Sequence, residues 1–364
     1  MKFLPPAPRS HIADDTLWRP SSYKSELRPK DLLWLDRGEC LDPKMISLVK
    51  KLASDLPDDT YFAYPTPGPL YRKLSKYLGI SPDHILLTRG SDGAIKTVYE
   101  AYIEPGDTVL VSRPTYQMYS IYAQIFGARM AFVDYEVRKG RPYVAGSDII
   151  ANIRSEKPKL VGLPFPDNPV GFALPTEELK AVIEAAGDCG ALILIDEAYH
   201  PFHDASAIEW VKDYGHLVIA RTFSKAWGMA GIRLGYTVAQ PSIIEMLNKV
   251  RTMIEADGVA MALAERMLDH EGTMLASVAR LRAAQGWFVD QMLQLGFYAF
   301  DTPCNFVHVD FGAKRSAVEK ALKNVVRFRV FPDALLKPYM RFTTTTKSRF
   351  QPVVDIARNI AESG

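Results

Sequence analysis

The chain has 364 residues, of which 48% are hydrophobic and 24% are charged, and its formal net charge is +2. This composition predicts a globular protein that can bury one large core and a second, smaller one. No block of like charges occurs, so neither a nucleic acid nor an anionic membrane is predicted as a partner.

Cysteine usage and hydropathy indicate the compartment. Cys40, Cys189 and Cys304 are odd in number and far apart in sequence, which argues against a disulfide framework and favours a reducing compartment. The first residues contain no apolar signal-peptide core, and no run of eighteen apolar residues follows. We therefore expect a cytoplasmic protein without a membrane span.

The chain begins with an arm and two helices. Residues 1–30 hold five prolines and show little periodicity, which predicts an extended arm that packs on another surface or forms a loose terminus. Apolar residues at helical spacing predict a first helix over 43–54. A rigid loop with Tyr64 follows, and Pro69 suits the first turn of a second helix.

Strands and helices then alternate. Short apolar runs predict strands over 85–88, 108–112, 129–135, 159–164, 191–195 and 216–220. Helical patterns separate most of these strands. This order predicts an α/β fold with a large doubly wound sheet, mixed but mostly parallel. In such sheets ligands bind beyond the carboxyl ends of the strands.

The pattern changes after Gln240. Helical periodicity dominates from Ile243 to Leu295. Later strands are predicted over 304–312, 325–331 and 339–345. These strands, with a short helix between them and a closing helix, indicate a smaller α+β domain. We therefore predict a large domain over 43–255 and a small domain formed by 1–42 and 256–364.

One polar stretch, RTFSKAWGMAGIRLGY over 221–236, follows a predicted buried strand. A lysine at a strand end is partly desolvated, so its amine can attack carbonyls, and Lys225 is the candidate Schiff-base lysine. Hydroxyls on Thr222 and Ser224 and the guanidinium of Arg233 suit a phosphate. The alternative is a glycine-bearing turn with a surface lysine and a structural arginine.

Two other strand ends carry candidate groups. Ser91 and Asp92 stand just before a helix predicted to begin near Ala94, where backbone N–H groups bind phosphate, although an ordinary helix cap would use the same residues. Asp196 follows the strand at 191–195, and its carboxylate could keep a ring nitrogen protonated, with Glu197 as a competitor. The alternative for this pair is a helix cap or an ion pair.

Aromatic and amide side chains complete the candidate site. Tyr116, in the motif PTYQMYS, offers a ring face for stacking on an aromatic ligand. Asn168 and Tyr199 could form hydrogen bonds with an oxygen on that ligand's ring. Asparagine before proline is also a common turn former, and tyrosine is common in cores.

Six motifs occur along the chain in this order: YPTPG, RGSDGA, PTYQMYS, PDNPVG, LIDEAYHPF and SKAWGMAGIRLGY. With them, the chain from about Leu33 to Ile360 resembles the fold type I pyridoxal-phosphate (PLP) enzymes. Within these it resembles the histidinol-phosphate aminotransferase branch of the class I and II aminotransferases. The resemblance implies a PLP-dependent transferase fold and pyridoxal 5'-phosphate as the coenzyme.

The resemblance also implies a role for each matching residue. Lys225 would bind the coenzyme and shuttle a proton, Asp196 would pair with the pyridine nitrogen, and Tyr199 would lie at the ring oxygen. The implied coenzyme-binding residues are Tyr64, Ser91, Asp92, Tyr116, Asn168, Asp196, Tyr199, Thr222, Ser224, Lys225 and Arg233. Tyr64 would reach the coenzyme phosphate of a second subunit, which implies a homodimer with shared active sites.

The substrate groups follow from the same resemblance. Arg341 matches an arginine that grips a carboxylate or phosphate, and Arg329 matches a second one nearby, unless it is a solvated strand residue. The implied reaction moves an amino group from a donor, expected to be L-glutamate, to a small keto acceptor that carries phosphate or carboxylate. A decarboxylase, cyclase or eliminating enzyme of the same branch is the alternative, and a non-catalytic regulator is a third possibility.

A few residues depart from the family pattern. The chain has Arg37-Gly38-Glu39-Cys40 where the family usually has Asn-Glu-Asn-Pro, and Thr345 where a glycine is common. Both departures fall in the expected substrate pocket, so the resemblance leaves the acceptor open. His200 and His203 have no third clustered histidine, so no metal site is predicted.

Overall fold

The computed structural model describes residues 6–17, 19, 28–29 and 31–363, so part of the predicted N-terminal arm lies outside the described residues. The helices are α1 Pro43–Ser54, α2 Asp59–Phe62, α3 Gly68–Leu78, α4 Gly90–Tyr102, α5 Met118–Phe126, α6 Gly146–Glu156, α7 Thr176–Asp188, α8 Pro241–Val250, α9 Gly258–Met267, α10 Glu271–Gln294, α11 Arg315–Leu322 and α12 Lys347–Glu362. The strands are β1 Leu33–Trp34, β2 Ile85–Thr88, β3 Thr108–Arg113, β4 Arg129–Asp134, β5 Glu136–Arg138, β6 Arg141–Tyr143, β7 Leu160–Pro164, β8 Leu192–Asp196, β9 Leu217–Thr222, β10 Gly235–Ala239, β11 Tyr298–Asp301, β12 Phe306–Asp310, β13 Val326–Arg327 and β14 Met340–Thr343.

A seven-stranded sheet in the order β2-β10-β9-β8-β7-β3-β4 forms the centre of the molecule. The neighbours from β9 to β4 pair in parallel, whereas β10 is antiparallel to both β9 and β2. The predicted mixed, mostly parallel doubly wound sheet is therefore confirmed.

Buried apolar residues cover both faces of this sheet. Successive side chains of a strand point to opposite faces. Ile193 and Ile195 of β8 therefore join a core with α3, α6, α7 and α9, while Leu192 and Leu194 join a core with α4, α5 and α8. Strands buried on both faces are typical of parallel sheets covered by helices, and they explain the continuous apolar runs of the sequence.

The carboxyl ends of the inner strands meet at one edge of the sheet. β8 ends at Asp196 and β9 at Thr222. β2 runs parallel to β9 because both are antiparallel to β10, so the N-terminus of α4, which begins at Gly90 directly after β2, lies at the same edge. The topology thus gathers the polar strand ends that the sequence singled out.

A three-stranded antiparallel sheet, β11-β12-β14, lies beside the large one, and β1 pairs in parallel with β13. Helices α10, α11 and α12 pack on the smaller sheet. The rings of Phe288 and Phe350 stack there at 4.1 Å between centroids. This layer brings Arg341, in β14, towards the edge where the polar strand ends meet.

Several local predictions were wrong. Strand β10 was not predicted, because the glycine-rich stretch around it has the composition of a loop. Helix α4 begins at Gly90 rather than near Ala94, so Ser91 and Asp92 belong to its first turn. Only Val326–Arg327 of the strand predicted over 325–331 is a strand, although Arg329 pairs with Arg341 in an isolated bridge. No helix of the described part is long and apolar enough to cross a membrane.

Candidate active site

A cavity of about 250 Å³ opens at the carboxyl edge of the large sheet. Ten of the eleven residues predicted to bind a coenzyme line it: Ser91, Asp92, Tyr116, Asn168, Asp196, Tyr199, Thr222, Ser224, Lys225 and Arg233. These residues come from six separate segments of the sequence. Their convergence makes this cavity the candidate active site.

One end of the cavity is built to hold an anion. Arg233 donates a hydrogen bond to Ser224 Oγ (3.3 Å), and Thr222 Oγ1 donates to the same oxygen (3.0 Å). Ser91 lies in the first turn of α4, where unpaired backbone N–H groups and the helix dipole favour negative charge. Hydroxyls, a guanidinium and a helix N-terminus together suit a phosphate.

Two glycines allow this end of the cavity to form. Gly90 has φ +71°, and a Cβ there would lie 3.3 Å from Arg233 Nη2. At Gly235, a Cβ would lie 2.5 Å from the carbonyl oxygen of Arg221 and 2.7 Å from the carbonyl carbon of Gly90. Because backbone atoms cannot move aside as a flexible side chain can, strand β10 needs glycine where it passes the start of α4.

The adjacent acids Asp196 and Glu197 have separate surroundings. Asp196 lines the cavity, is 4% exposed and accepts the backbone N–H of Ala198 (3.0 Å); burial raises the pKa of its carboxyl to about 7. Glu197 instead forms a buried ion pair with Arg221 (2.9 Å) and accepts hydrogen bonds from Ser206. Glu197 therefore has a structural partner, and only Asp196 faces the cavity.

Lys225 extends into the cavity from the turn after β9. Its Nζ donates to the carbonyl oxygen of Arg37 (3.1 Å) and lies 5.4 Å from the centre of the Tyr199 ring. Burial, and then the positive charge of Arg341, lower the pKa of this amine to about 8. A substantial neutral fraction near that pH makes Lys225 a competent nucleophile and base.

Tyr116, Tyr199 and Asn168 line the remaining walls. Burial raises the pKa of both tyrosine hydroxyls, so both stay neutral hydrogen-bond donors. Asn168 Oδ1 accepts a hydrogen bond from Arg341 Nη1 (2.7 Å). This amide therefore connects the cavity to the smaller sheet.

Arg341 and Arg329 stand behind Asn168. Arg341 is 6% exposed, and its Nη2 donates to the carbonyl oxygen of Asp36 (3.1 Å). Burial lowers the pKa of its guanidinium, and the nearby positive charge of Arg329 adds to this effect. Arg329 is exposed and neither arginine lines the cavity. The structure thus brings Arg341 next to the site but leaves Arg329 at its periphery.

Tyr64 is the one predicted coenzyme-binding residue that lies outside the cavity. Its side chain is 86% exposed, and it stands near the exposed side chains of Tyr61 and Phe62. Within a single chain it does not contribute to the site. The reach of Tyr64 into a second subunit stays a prediction.

The resemblance put Arg37 to Cys40 in the substrate pocket without giving any of them a role, and in the structure the segment 36–39 crosses the cavity as a strap. Arg37 and Glu39 line the cavity. Gly38 has φ +66°, its N–H donates to Thr343 Oγ1 (2.8 Å), and its carbonyl accepts from Asn305 Nδ2 (2.9 Å). These contacts span more than 260 residues of sequence, so no local pattern signals them. The departure from the family motif at this point was the only sign.

Asp167 is a second residue to which the sequence gave no role. Its buried Oδ2 accepts hydrogen bonds from Ser112 Oγ (2.7 Å) and the Tyr135 hydroxyl (3.0 Å), and burial raises its pKa to about 7. These bonds anchor the loop that presents Asn168. Burial also lowers the pKa of His200 to about 4, and the described residues contain no cluster of metal-binding side chains.

Known proteins resemble this chain along most of its length. It matches the family "Aminotransferase class I and II" over residues 30–355. The histidinol-phosphate aminotransferase of Clostridium novyi is 24% identical over 341 residues, 93% of each protein. That of Thermoanaerobacter pseudethanolicus is 30% identical over 249 residues, 68% of this chain and 69% of the relative.

Solved structures agree with the family match. The crystal structure of histidinol-phosphate aminotransferase from Sinorhizobium meliloti, in complex with pyridoxal-5'-phosphate, has a TM-score of 0.79 at 25% identity and covers 92% of each chain. That of the Clostridium acetobutylicum enzyme has a TM-score of 0.80 at 20% identity and covers 92% of this chain. The predicted family and fold are therefore confirmed: this chain belongs to the class I and II aminotransferases.

Proposed function

We propose that this aminotransferase moves an amino group from L-glutamate to a small keto compound that carries a phosphate or a carboxylate. The coenzyme is pyridoxal 5'-phosphate. The observation that carries the proposal is the meeting of Lys225 and Asp196 in one cavity whose far end is lined by Thr222, Ser224 and Arg233. An amine, a buried acid and an anion-binding end are the three groups that this coenzyme requires.

The residues present fit the coenzyme. Among the described residues Asp196 is a buried carboxyl that forms no ion pair, and a protonated ring nitrogen would supply a cationic partner. The phosphate would be held by the backbone of Ser91 and Asp92 and by the side chains of Thr222, Ser224 and Arg233. Tyr116 would stack on the ring, and Asn168 and Tyr199 would lie at its oxygen. When bound, the ring withdraws electrons from the reacting carbon of the substrate.

The chain's own groups then handle the proton. Lys225 Nζ, whose pKa burial lowers to about 8, can accept a proton from the substrate carbon and return it, because the neutral and charged forms are close in free energy near that pH. The negative charge of Asp196 favours a protonated ring nitrogen beside it. The neutral hydroxyl of Tyr199 donates a hydrogen bond without adding charge.

Arg341 is our candidate for the substrate's acid group. Its hydrogen bonds to Asn168 and to the carbonyl of Asp36 fix the guanidinium plane, and its buried Nε has no partner among the described residues. A planar guanidinium can bind a carboxylate through two parallel hydrogen bonds. Arg329, paired with Arg341 along the backbone, adds positive charge behind it.

We further propose a homodimer in which Tyr64 reaches the second active site. The exposed apolar side chains of Tyr61, Phe62, Tyr64 and Met253, each at least 63% exposed, support an interface there. The division into a large domain over 43–255 and a small domain from the remaining residues also stays a proposal. Light scattering of the wild type and of Tyr64→Ala would test the dimer.

The proposed reaction is tested by mixing the PLP-loaded protein with L-glutamate. We expect the absorbance of the bound coenzyme to shift to that of its amino form while 2-oxoglutarate appears in equal amount. Lys225→Ala should abolish both changes. No shift with any of a panel of amino donors would contradict amino transfer, and release of carbon dioxide without a keto acid would indicate a decarboxylase instead.

A further inference from the structure

The strap over residues 36–39 places its main chain and its side chains in different environments. Its carbonyl groups face the site, where Asp36 O accepts from Arg341 and Arg37 O accepts from Lys225. Arg37 is one of the residues that line the cavity, and its side chain is 62% exposed. Its guanidinium therefore lies at the mouth, where a substrate would enter.

Arg37 is one of three arginines that lie around a single indole ring. The guanidinium carbons of Arg28, Arg37 and Arg327 lie 4.9, 6.0 and 5.5 Å from the centre of the Trp34 ring. We call these four residues the Trp34 cluster. Contacts with an aromatic face hold a cation without neutralising it. The cluster therefore concentrates positive charge beside the cavity.

The acids nearby do not neutralise all of this charge. Glu39, the acid that lines the mouth, pairs with Arg28 at 3.0 Å. Within the described residues, Arg37 has only the longer contact with Asp36, at 3.7 Å, and Arg327 has no carboxylate within 4.0 Å. Like charges held this close repel one another, so an anion that binds between them is favoured.

We propose that Arg37, with the Trp34 cluster around it, binds a second anionic group of the substrate, at the end away from the reacting carbon. This inference rests on the proposed function and narrows its substrate class. One acid group of the substrate meets Arg341, and the other meets Arg37. The substrates are then dicarboxylic or phosphorylated amino acids and the corresponding keto acids.

Binding of small acids to the PLP-loaded enzyme tests this directly. Glutarate carries two carboxylates and butyrate carries one, and calorimetry measures both affinities. We expect Arg37→Met to weaken glutarate binding by about 10- to 100-fold, as the loss of charge-assisted hydrogen bonds does, and to leave butyrate binding unchanged. Arg37→Lys should keep part of the affinity. The bond from Lys225 survives in both variants because it uses the backbone of Arg37.

Arg138→Met is the matched control. Arg138 is also exposed, paired with a carboxylate and stacked on an aromatic ring, at 3.8 Å from the centre of Tyr143, but it does not line the cavity. Arg138→Met should leave the affinities for glutarate and for butyrate unchanged. Equal glutarate affinity in the wild type and Arg37→Met would overturn the proposal, as would an equal loss for both acids.

Kinetics separate this proposal from the proposed function. In Arg37→Met, kcat/KM for L-glutamate and O-phospho-L-serine should fall, whereas that for L-alanine should not. If the wild type transferred no amino group at all, the proposed function would fail, but glutarate binding would still decide the role of Arg37.

Discussion

The two walls of the cavity are made in different ways. The coenzyme wall, formed by Ser91, Asp196, Thr222, Lys225 and Arg233, comes from the carboxyl ends of β2, β8 and β9 and the turn that follows. The substrate wall is formed by the strap 36–39, a loop that Asn305, Arg341 and Thr343 hold in place through hydrogen bonds from outside the cavity. The ends of strands therefore determine the coenzyme wall, whereas contacts between residues far apart in sequence determine the substrate wall.

This difference indicates which wall can change the substrate specificity without disturbing the fold. Moving a coenzyme residue would disturb the central sheet, whose strands are buried on both faces. The strap instead depends on a few hydrogen bonds, and its side chains at Arg37 and Glu39 are at least partly exposed. Substitutions there alter what the cavity presents to a substrate at little cost to the fold. The following changes test this contrast.

The largest effect on activity is expected for Asp196→Asn in the coenzyme wall. An amide cannot pair as an ion with a ring nitrogen, and losing such a buried charge pair costs about 3–4 kcal/mol, or roughly 10²- to 10³-fold in kcat. The coenzyme-free variant should remain as stable as the wild type, because burial already disfavours the carboxylate. Steady-state kinetics and urea unfolding measure the two quantities.

Glu197→Gln is the neighbouring control. It leaves the buried Arg221 without a charged partner, which should lower the free energy of unfolding by about 3–5 kcal/mol. Activity per folded molecule should change little. If Asp196→Asn destabilised the protein and Glu197→Gln removed activity, the roles assigned to this pair would be reversed.

Gly235→Ala should also damage the coenzyme wall. The new Cβ would meet backbone atoms of Arg221 and Gly90 at 2.5 and 2.7 Å, so β10 must shift, at a cost of about 1–3 kcal/mol. We expect lower stability and weaker retention of the coenzyme phosphate, measured by thermal unfolding and dialysis. At Gly231 a Cβ would have no atom within 4 Å. Gly231→Ala should therefore lower neither the stability nor the retention of the coenzyme phosphate.

The same contrast explains how much could be predicted from the sequence. The ends of β8 and β9 could be predicted because a parallel strand is a continuous apolar run, and the polar residue after it must lie at the edge. Strand β10 could not, because close packing against α4 requires Gly235, and glycine indicates a loop. The resemblance put Arg37 to Cys40 in the substrate pocket, but the bonds that hold the strap could not be predicted, since Thr343 and Asn305 are far from Gly38 in sequence.

Lys225 gives the coenzyme wall a pH dependence in the coenzyme-free protein. Its pKa falls from 10.5 to about 8 on folding, so between these values the unfolded state binds more protons and stability rises with pH. Below pH 8 the buried charge opposes folding. Lys225→Met should therefore be more stable than the wild type there, on the order of 1–3 kcal/mol, and the gap should close towards pH 10.5.

The control for this experiment is Lys96→Met. Lys96 is exposed on α4 and paired with Glu100 at 2.8 Å. In urea unfolding, the free energy of unfolding of Lys96→Met should differ from that of the wild type by a small amount that stays constant across the same pH range. A constant difference for Lys225→Met would mean that folding does not shift this amine.

The most local effect is expected in the strap. Thr343→Val keeps the shape of the side chain but leaves the buried N–H of Gly38 without its acceptor, which costs about 1–3 kcal/mol. Because this bond fixes the substrate wall only, KM should rise while coenzyme affinity stays the same. Thr237→Val is the matched change in β10: Thr237 is as buried, and its hydroxyl has no partner among the described residues. Thr237→Val should leave KM unchanged. An equal rise of KM in Thr237→Val and Thr343→Val would mean that the strap does not depend on the hydroxyl of Thr343.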